Sequence, residues 1–173
     1  WSYLGCNTIY NACLGWDVKF ILLAVGTKMP KWVTTGFTEY QKRMPPHMQL
    51  VLQEIEPVRR VSKSTSGKAK EIEAKAILEA LPKRAHIIAL DEHGKQFTSM
   101  ELASKVHDYQ QMGCDVVIII GGPEGLTQEV LSKANETMSL SKLTMPHPMV
   151  RVVIAEALYR AYSIDAGMPY HRE

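Results

Sequence analysis

The chain has 173 residues, 46% apolar and 22% charged, enough for one domain of ordinary size with the composition of a globular protein. Those figures exclude a disordered tail, a collagen-like repeat and a disulfide scaffold. Lys and Arg number 20 against 18 Asp and Glu, a formal charge of +2. That is too little for a protein that coats nucleic acid non-specifically, so any nucleic-acid contact must come from local clustering. The three cysteines are Cys6, Cys13 and Cys114. They form no Cys-x-x-Cys and no zinc spacing, and an odd count without a framework points to a reducing compartment, the cytoplasm. The longest apolar runs, Phe20 to Val25 and Val116 to Ile120, are too short to span a bilayer, and no secretory signal is expected.

Residues 1–17 are almost uncharged and begin with Trp. They are expected to lie outside the domain proper, which makes Cys6 and Cys13 poor functional candidates. Val18 to Val25 reads as a buried strand ending at Gly26. Pro30 suits a first helical position, and the helix runs to Arg43 with Trp32, Val33, Phe37 and Tyr40 as its core-facing stripe. Pro45-Pro46 stops it, and Gln49 to Ile55 alternates as a strand. Residues 57–70 are polar, Ser-rich and basic, and read as a loop. Ile72, Ala76, Ile77 and Ala80 mark a helix ended by Pro82. His86 to Leu90 is a strand. Thr98 caps a helix to about Met112, with Glu101 completing a capping box. Asp115 to Ile120 is a β-branched strand of the kind buried in a parallel sheet. A helix follows Gly125, then a short strand around Leu140 to Met145, then a last helix from about Met149 to Ile164. The alternation predicts an α/β fold with a mainly parallel sheet, and no repeats occur.

Four segments carry groups suited to chemistry. Gly121-Gly122-Pro123-Glu124-Gly125 follows a buried strand and leads to a helix. Glycines there let backbone approach a ligand at a strand end, although a tight turn rigidified by Pro123 explains them equally well. The segment is neither a GxGxxG fingerprint nor a Walker loop. Ser141 to Pro148 holds His147 between two prolines, either as a preorganised polar group or as an exposed residue of a rigid connection. The last helix is apolar on most sides, yet it carries Arg151 and the i,i+4 pair Glu156 and Arg160. Buried charges must be paired, so these form an internal bridge or part of a polar site. The same apolarity suits a subunit interface. The tail, Met168 to Glu173, sets Tyr170, His171 and Arg172 side by side, groups that can stack on a base and hold phosphate unless the tail simply frays.

Taken together, LAVGTKMPKW at 23–32, IGGPEGL at 120–126, LTMPHPMVRV at 143–152, EALYRAYSI at 156–164 and YHRE at 170–173 closely resemble the RlmH family. These are small SPOUT-class methyltransferases of bacterial large-subunit ribosomal RNA. The resemblance runs from about residue 18 to the last residue, and Val18 falls where the family's initiator Met belongs. It implies a Rossmann-like, mainly parallel α/β sheet whose C-terminal part is threaded in a deep trefoil knot, in a homodimer. Knots are rare exceptions to the rules of chain topology. It implies S-adenosyl-L-methionine as cofactor, held by Leu90, Gly121, Gly122, Ser141, Lys142, Leu143, Thr144, Met145 and Pro146, largely through backbone. It implies methylation of N3 of a pseudouridine in helix 69 of 23S rRNA in the assembled ribosome, with no metal and no membrane. His147, Arg151, Glu156 and Arg160 would line the site where the base enters. Tyr170, His171 and Arg172 would come from the partner subunit to hold the flipped base. Lys28, Lys31, Arg59 and Arg60 are the leading phosphate contacts, with Lys63, Lys68 and Lys70 as further basic residues.

Two other readings compete. One is a nucleotide-binding α/β enzyme using GGPEG for phosphate, against which the missing Walker lysine and Rossmann fingerprint argue. The other is a ribosome-assembly factor without catalysis.

Overall fold

The computed structural model describes residues 17–59 and 66–172. The expected extension at 1–17 falls outside them except for Asp17, and so do Arg60, Lys63 and Glu173. Five strands form one sheet: β1 (Val18–Val25), β2 (Met48–Ile55), β3 (Ala85–Lys95), β4 (Asp115–Ile120) and β5 (Glu136–Met138). Their order is β2-β1-β4-β3-β5, and every pairing is parallel. The helices are α1 (Lys31–Arg43), α2 (Ser66–Ala80), α3 (Ser99–Met112), α4 (Gln128–Lys133) and α5 (His147–Asp165), and a 3-10 turn follows at Pro169–Arg172. Among the described residues no helix is long and apolar enough to cross a membrane.

The sequence dictates much of this directly. A parallel sheet needs helical crossovers, which cover both of its faces, so its central strands are apolar throughout. Val116 to Ile120 of β4 are all buried, between Phe20–Ala24 of β1 on one side and His86–Leu90 of β3 on the other. Phe20, Leu22 and Ile118 face the layer of α1, α3 and α5, while Leu23, Val117 and Ile119 face that of α2 and α4. The capping box forms as expected: Thr98 Oγ1 accepts from the Glu101 amide at 3.1 Å, and Glu101 Oε2 accepts from the Thr98 amide at 2.7 Å. Gly113 closes the same helix at φ 67°, a left-handed value that Gly tolerates freely.

Five expectations need correction. The last short strand is Glu136–Met138, not Leu140 to Met145. Asn135 starts it, with its amide on the Ile87 carbonyl and its side chain on the Ile87 amide. After Ser139 the Ser141 hydroxyl captures the Leu143 amide and turns the chain out of the sheet. Residues 66–70 are the first turn of α2 rather than loop. That earlier start sets the helix phase, burying Ala69, Glu73, Ala74 and Ile77 and leaving Ile72 exposed. Trp32 is 51% exposed and outside the core stripe. Finally, α5 begins at His147, so this residue belongs to the helix and not to its lead-in.

Candidate active site

The C-terminal ends of parallel strands lie along one edge, where their loops diverge and leave a crevice. Here β3, β4 and the chain after β5 enclose a cavity of about 570 Å³. Leu90 to His93, Ile120 to Leu126 and the loop from Ser139 onward form its walls. The glycine loop needs its glycines. A Cβ on Gly121 would stand 2.9 Å from the Gly125 carbonyl carbon and from Leu126 Cδ2. Gly125 sits at φ 77°, and its amide donates to the Gly122 carbonyl at 3.0 Å. The opposite wall is held by Ser139, whose hydroxyl donates to the Ser141 carbonyl at 3.0 Å while its amide donates to the Lys95 carbonyl at 2.9 Å. Of the residues expected at a cofactor, Leu90, Gly121, Gly122, Ser141, Leu143, Thr144 and Met145 line the cavity. Lys142 is exposed beside it. Pro146 is the N-cap residue just before α5, its carbonyl accepting from the Met149 and Val150 amides.

The first turns of α5 hold a buried polar cluster. Arg151 is only 1% exposed. It donates through Nε to His147 Nε2 (3.0 Å), through Nη1 to Glu54 Oε2 (2.7 Å) and through Nη2 to the Gly26 carbonyl (2.8 Å). Because His147 Nε2 accepts, its proton sits on Nδ1, which donates to the Gly121 carbonyl at 3.0 Å. Burial pushes the His147 pKa down, and the Arg151 charge adds to this against the Gly121 hydrogen bond and Glu54. The imidazole is therefore neutral near pH 7, as the network requires. The cluster joins the ends of β1, β2 and β4 to α5 and sets one cavity wall. Gly26, at φ 137°, is a tight fit: a Cβ there would lie 3.1 Å from Met29 Cε and 3.2 Å from Arg151 Nη2.

A second cluster occupies the far half of α5. Arg160 Nε donates to Glu156 Oε1 at 2.8 Å, and Tyr170 Oη donates to the same oxygen at 3.1 Å. The tail therefore folds back on its own α5. The Tyr170 ring stands edge-on to Tyr159 with centroids 4.8 Å apart, and the Arg160 guanidinium lies 5.0 Å from the Tyr170 centroid. Burial, the Tyr40 hydroxyl and Glu156 raise the Tyr170 pKa, keeping its phenol a proton donor. Glu156 raises that of Arg160. Beside them Arg172 is exposed, and His171 Nδ1 is shut off from solvent with no hydrogen-bond partner among the described residues. At about 1.5 Å per residue, the two clusters together span roughly 20 Å of α5, with their centres roughly 13 Å apart along the helix.

The basic residues are dispersed. Lys28, Lys31 and Arg59 are exposed, and Lys28 adopts φ 55°, unusual for a residue with a side chain. Lys70 lines the cavity. Sequence reasoning missed Glu54. Its signal was a carboxylate next to the buried Ile55 at the end of β2. It also missed a network at the opposite end of the sheet, where Glu136 accepts from His86 Nε2 (2.5 Å), Tyr109 Oη (2.6 Å) and Lys105. Burial opposes ionisation of Glu136, yet these three partners hold its pKa at about 2.

Comparisons with known proteins agree with this architecture. Residues 18–171 match the family model described as "Predicted SPOUT methyltransferase". The proteins called Ribosomal RNA large subunit methyltransferase H from Herminiimonas arsenicoxydans and Janthinobacterium sp. (strain Marseille) are each 49% identical over 155 residues. That of Paraburkholderia phymatum is 47% identical over the same length. Each alignment covers 90% of this chain and 99% of the relative. Among solved structures, a probable methylase family protein from Haemophilus influenzae Rd KW20 superposes with a TM-score of 0.50 at 15% identity, covering 89% of this chain and 70% of that one, a likeness of fold alone. The parallel five-stranded sheet, the glycine loop after β4 and the match over residues 18–171 identify the chain as a member of the SPOUT methyltransferase family.

Proposed function

We propose that this chain transfers a methyl group from S-adenosyl-L-methionine to N3 of a pseudouridine in helix 69 of bacterial 23S rRNA, acting in the cytoplasm on the assembled ribosome as a homodimer. The observation that carries this reading is the cavity. Its volume is in the range of small-molecule sites. Leu126, Leu131, Leu140 and Val150 offer apolar surface for a purine, and the acidic side chains of Asp91, Glu92 and Glu124 suit a ligand carrying sulfonium and ammonium charges. Leu90, Gly121, Gly122 and Ser141 to Pro146 would hold it, chiefly through backbone. Bound there, the cofactor supplies an already activated methyl group, so the protein's task is alignment.

His147 and Arg151 serve this task from behind the wall. All three Arg151 contacts are taken up within the chain, so we assign it to positioning the glycine loop rather than to touching the base. The groups better placed to meet RNA are those of the second cluster, which is only half-buried and ends in the exposed Arg172. Glu156, Arg160, Tyr170, His171 and Arg172 bring a carboxylate, two guanidinium groups, a phenol and an imidazole to one surface. These are the types needed to stack on a flipped base, accept its N3 proton and stabilise charge developing on its carbonyl oxygens. Their distance from the cavity within one chain supports a dimer in which one subunit's tail completes the other's cavity. The unpartnered His171 Nδ1 supports the same view, since a buried polar atom wants a partner. Lys28, Lys31, Arg59 and Arg60 would grip phosphates. Threading of the chain into a trefoil knot is supported by Met138 of β5, which pairs with both Leu90 and Lys95 of β3 and lies close against Gly94.

The test is transfer of tritiated methyl from S-adenosyl-L-methionine to intact ribosomes and to isolated subunits, with the label mapped. Label in helix 69 of intact ribosomes is expected. No transfer to any substrate, together with calorimetric binding of ATP alone, overturns the reading in favour of a nucleotide-binding enzyme. Cofactor binding without transfer favours an assembly factor. A monomer in sedimentation removes the shared site.

A further inference from the structure

We propose that Lys70, on the first turn of α2, binds the carboxylate of the cofactor's methionine portion, an inference that rests on the methyltransferase reading above. Lys70 is the only Lys or Arg side chain among the residues that line the cavity. It follows the buried Ala69 and is itself half-buried, whereas Gly67 and Lys68 before them are exposed. It also borders the narrow cleft between α2 and the loop Gly122 to Thr127, next to the glycine loop.

The inference follows from matching charges. A carboxylate taken into a half-enclosed cavity loses hydration and needs a donor, best a charged one. The other side-chain donors of the cavity are neutral hydroxyls or an imidazole, weaker partners for a carboxylate than an ammonium. The Ser139 hydroxyl donates to the Ser141 carbonyl. The Ser141 hydroxyl accepts from the Leu143 amide, which leaves only a neutral donor there. His93 is paired with Glu92 at 3.3 Å and lies mostly in solvent. Asp91, Glu92 and Glu124 repel a carboxylate and would draw the ammonium and sulfonium instead. Lys70 has no hydrogen bond or ion pair among the described residues, so its charge is available, and its flexible stem can follow the ligand.

The experiment is calorimetric titration of the full chain and of Lys70→Met and Lys70→Arg with two ligands. S-adenosyl-L-methionine carries the carboxylate, and 5′-methylthioadenosine keeps the nucleoside and sulfur but lacks the amino-acid portion. Lys70→Met is expected to weaken S-adenosyl-L-methionine about tenfold or more, the scale of a hydrogen bond to a charged group. Lys70→Arg should restore most of the loss, and methylthioadenosine should bind all three proteins alike. Thermal unfolding of each variant confirms that the fold is kept. Equal loss for both ligands overturns the proposal, because Lys70 then shapes the cavity only. Unchanged cofactor affinity in Lys70→Met with a raised KM for ribosomes also overturns it, in favour of a contact to RNA phosphate. A wild-type chain that binds methylthioadenosine but not S-adenosyl-L-methionine overturns the carboxylate contact, whereas one that binds neither overturns the methyltransferase reading itself.

Discussion

The two polar clusters of α5 share a helix and a similar set of residue types, yet they are built in opposite ways. At His147 and Arg151 the guanidinium spends donors on an imidazole, a carboxylate and a carbonyl, and it is almost wholly enclosed. At Glu156, Arg160 and Tyr170 the groups are half-buried, the neighbouring Arg172 is exposed and the His171 Nδ1 has no hydrogen-bond partner among the described residues. An enclosed guanidinium bonded to its own chain through all three nitrogens presents little to a substrate and suits holding backbone in place. An unsaturated cluster keeps capacity for a ligand at little cost to the fold. The difference teaches that on this helix the same charge types meet very different surroundings, which only the pattern of hydrogen bonding distinguishes.

Substitutions can break that comparison. The largest separation should come from Arg160→Met, expected to lower methyl transfer to ribosomes about 100-fold, the scale of losing a fixed group that stabilises developing charge. The same change should cost under about 1 kcal/mol of stability, since its ion pair with Glu156 is partly exposed. Urea unfolding beside the transfer assay reads both. Arg151→Met should do the reverse in stability. It strands Glu54, the Gly26 carbonyl and His147 Nε2, and partial exposure of Glu54 puts the cost near the low end for a broken buried pair, about 3 kcal/mol. If Arg160→Met proves the more destabilising of the two, the contrast fails.

Smaller effects sharpen it. His171→Ala should reduce transfer about tenfold or more while leaving cofactor affinity nearly intact, the scale of a hydrogen bond to a positioned group. Gly121→Ala should weaken cofactor binding severalfold, because the new Cβ forces the glycine loop to shift. Acidification supplies the mildest probe. The folded chain holds His147 below its ordinary pKa of 6.5, so the unfolded chain takes up a proton first as pH falls. The stabilisation is therefore complete above about pH 6.5 and drains below it. Glu136 adds a second, lower window: its contribution is whole above its ordinary 4.5 and is lost as pH falls toward about 2. His147→Gln should flatten the first loss in pH-dependent urea unfolding and leave the second in place.

Some of this was legible from local rules. The strand Asp115 to Ile120 announced its burial through unbroken β-branched and apolar residues, and Thr98 with Glu101 announced a helix start through a pattern spanning four residues. The phase of α2 was not legible, because it depends on a start at Ser66 within a polar, Ser-rich stretch. Nor was β5. Only three residues long, it exists because Asn135 docks on Ile87, 48 positions away. The site divided in the same way. The glycine loop and the prolines around His147 stand out as sequence, whereas Glu54 and Lys70 gain their places only through folding.

What the sequence determined by itself was a parallel α/β architecture, a glycine loop at a strand end and a set of charges on an apolar last helix. Those follow from periodicity and from the steric needs of Gly and Pro, which act over a few residues. The tertiary structure decided which charges are saturated and which remain available. Glu54 and Arg151 are 97 positions apart and Gly26 and Arg151 are 125 apart. Hydrogen-bond completeness is a property of such distant partners, so no local pattern in the chain could have announced it.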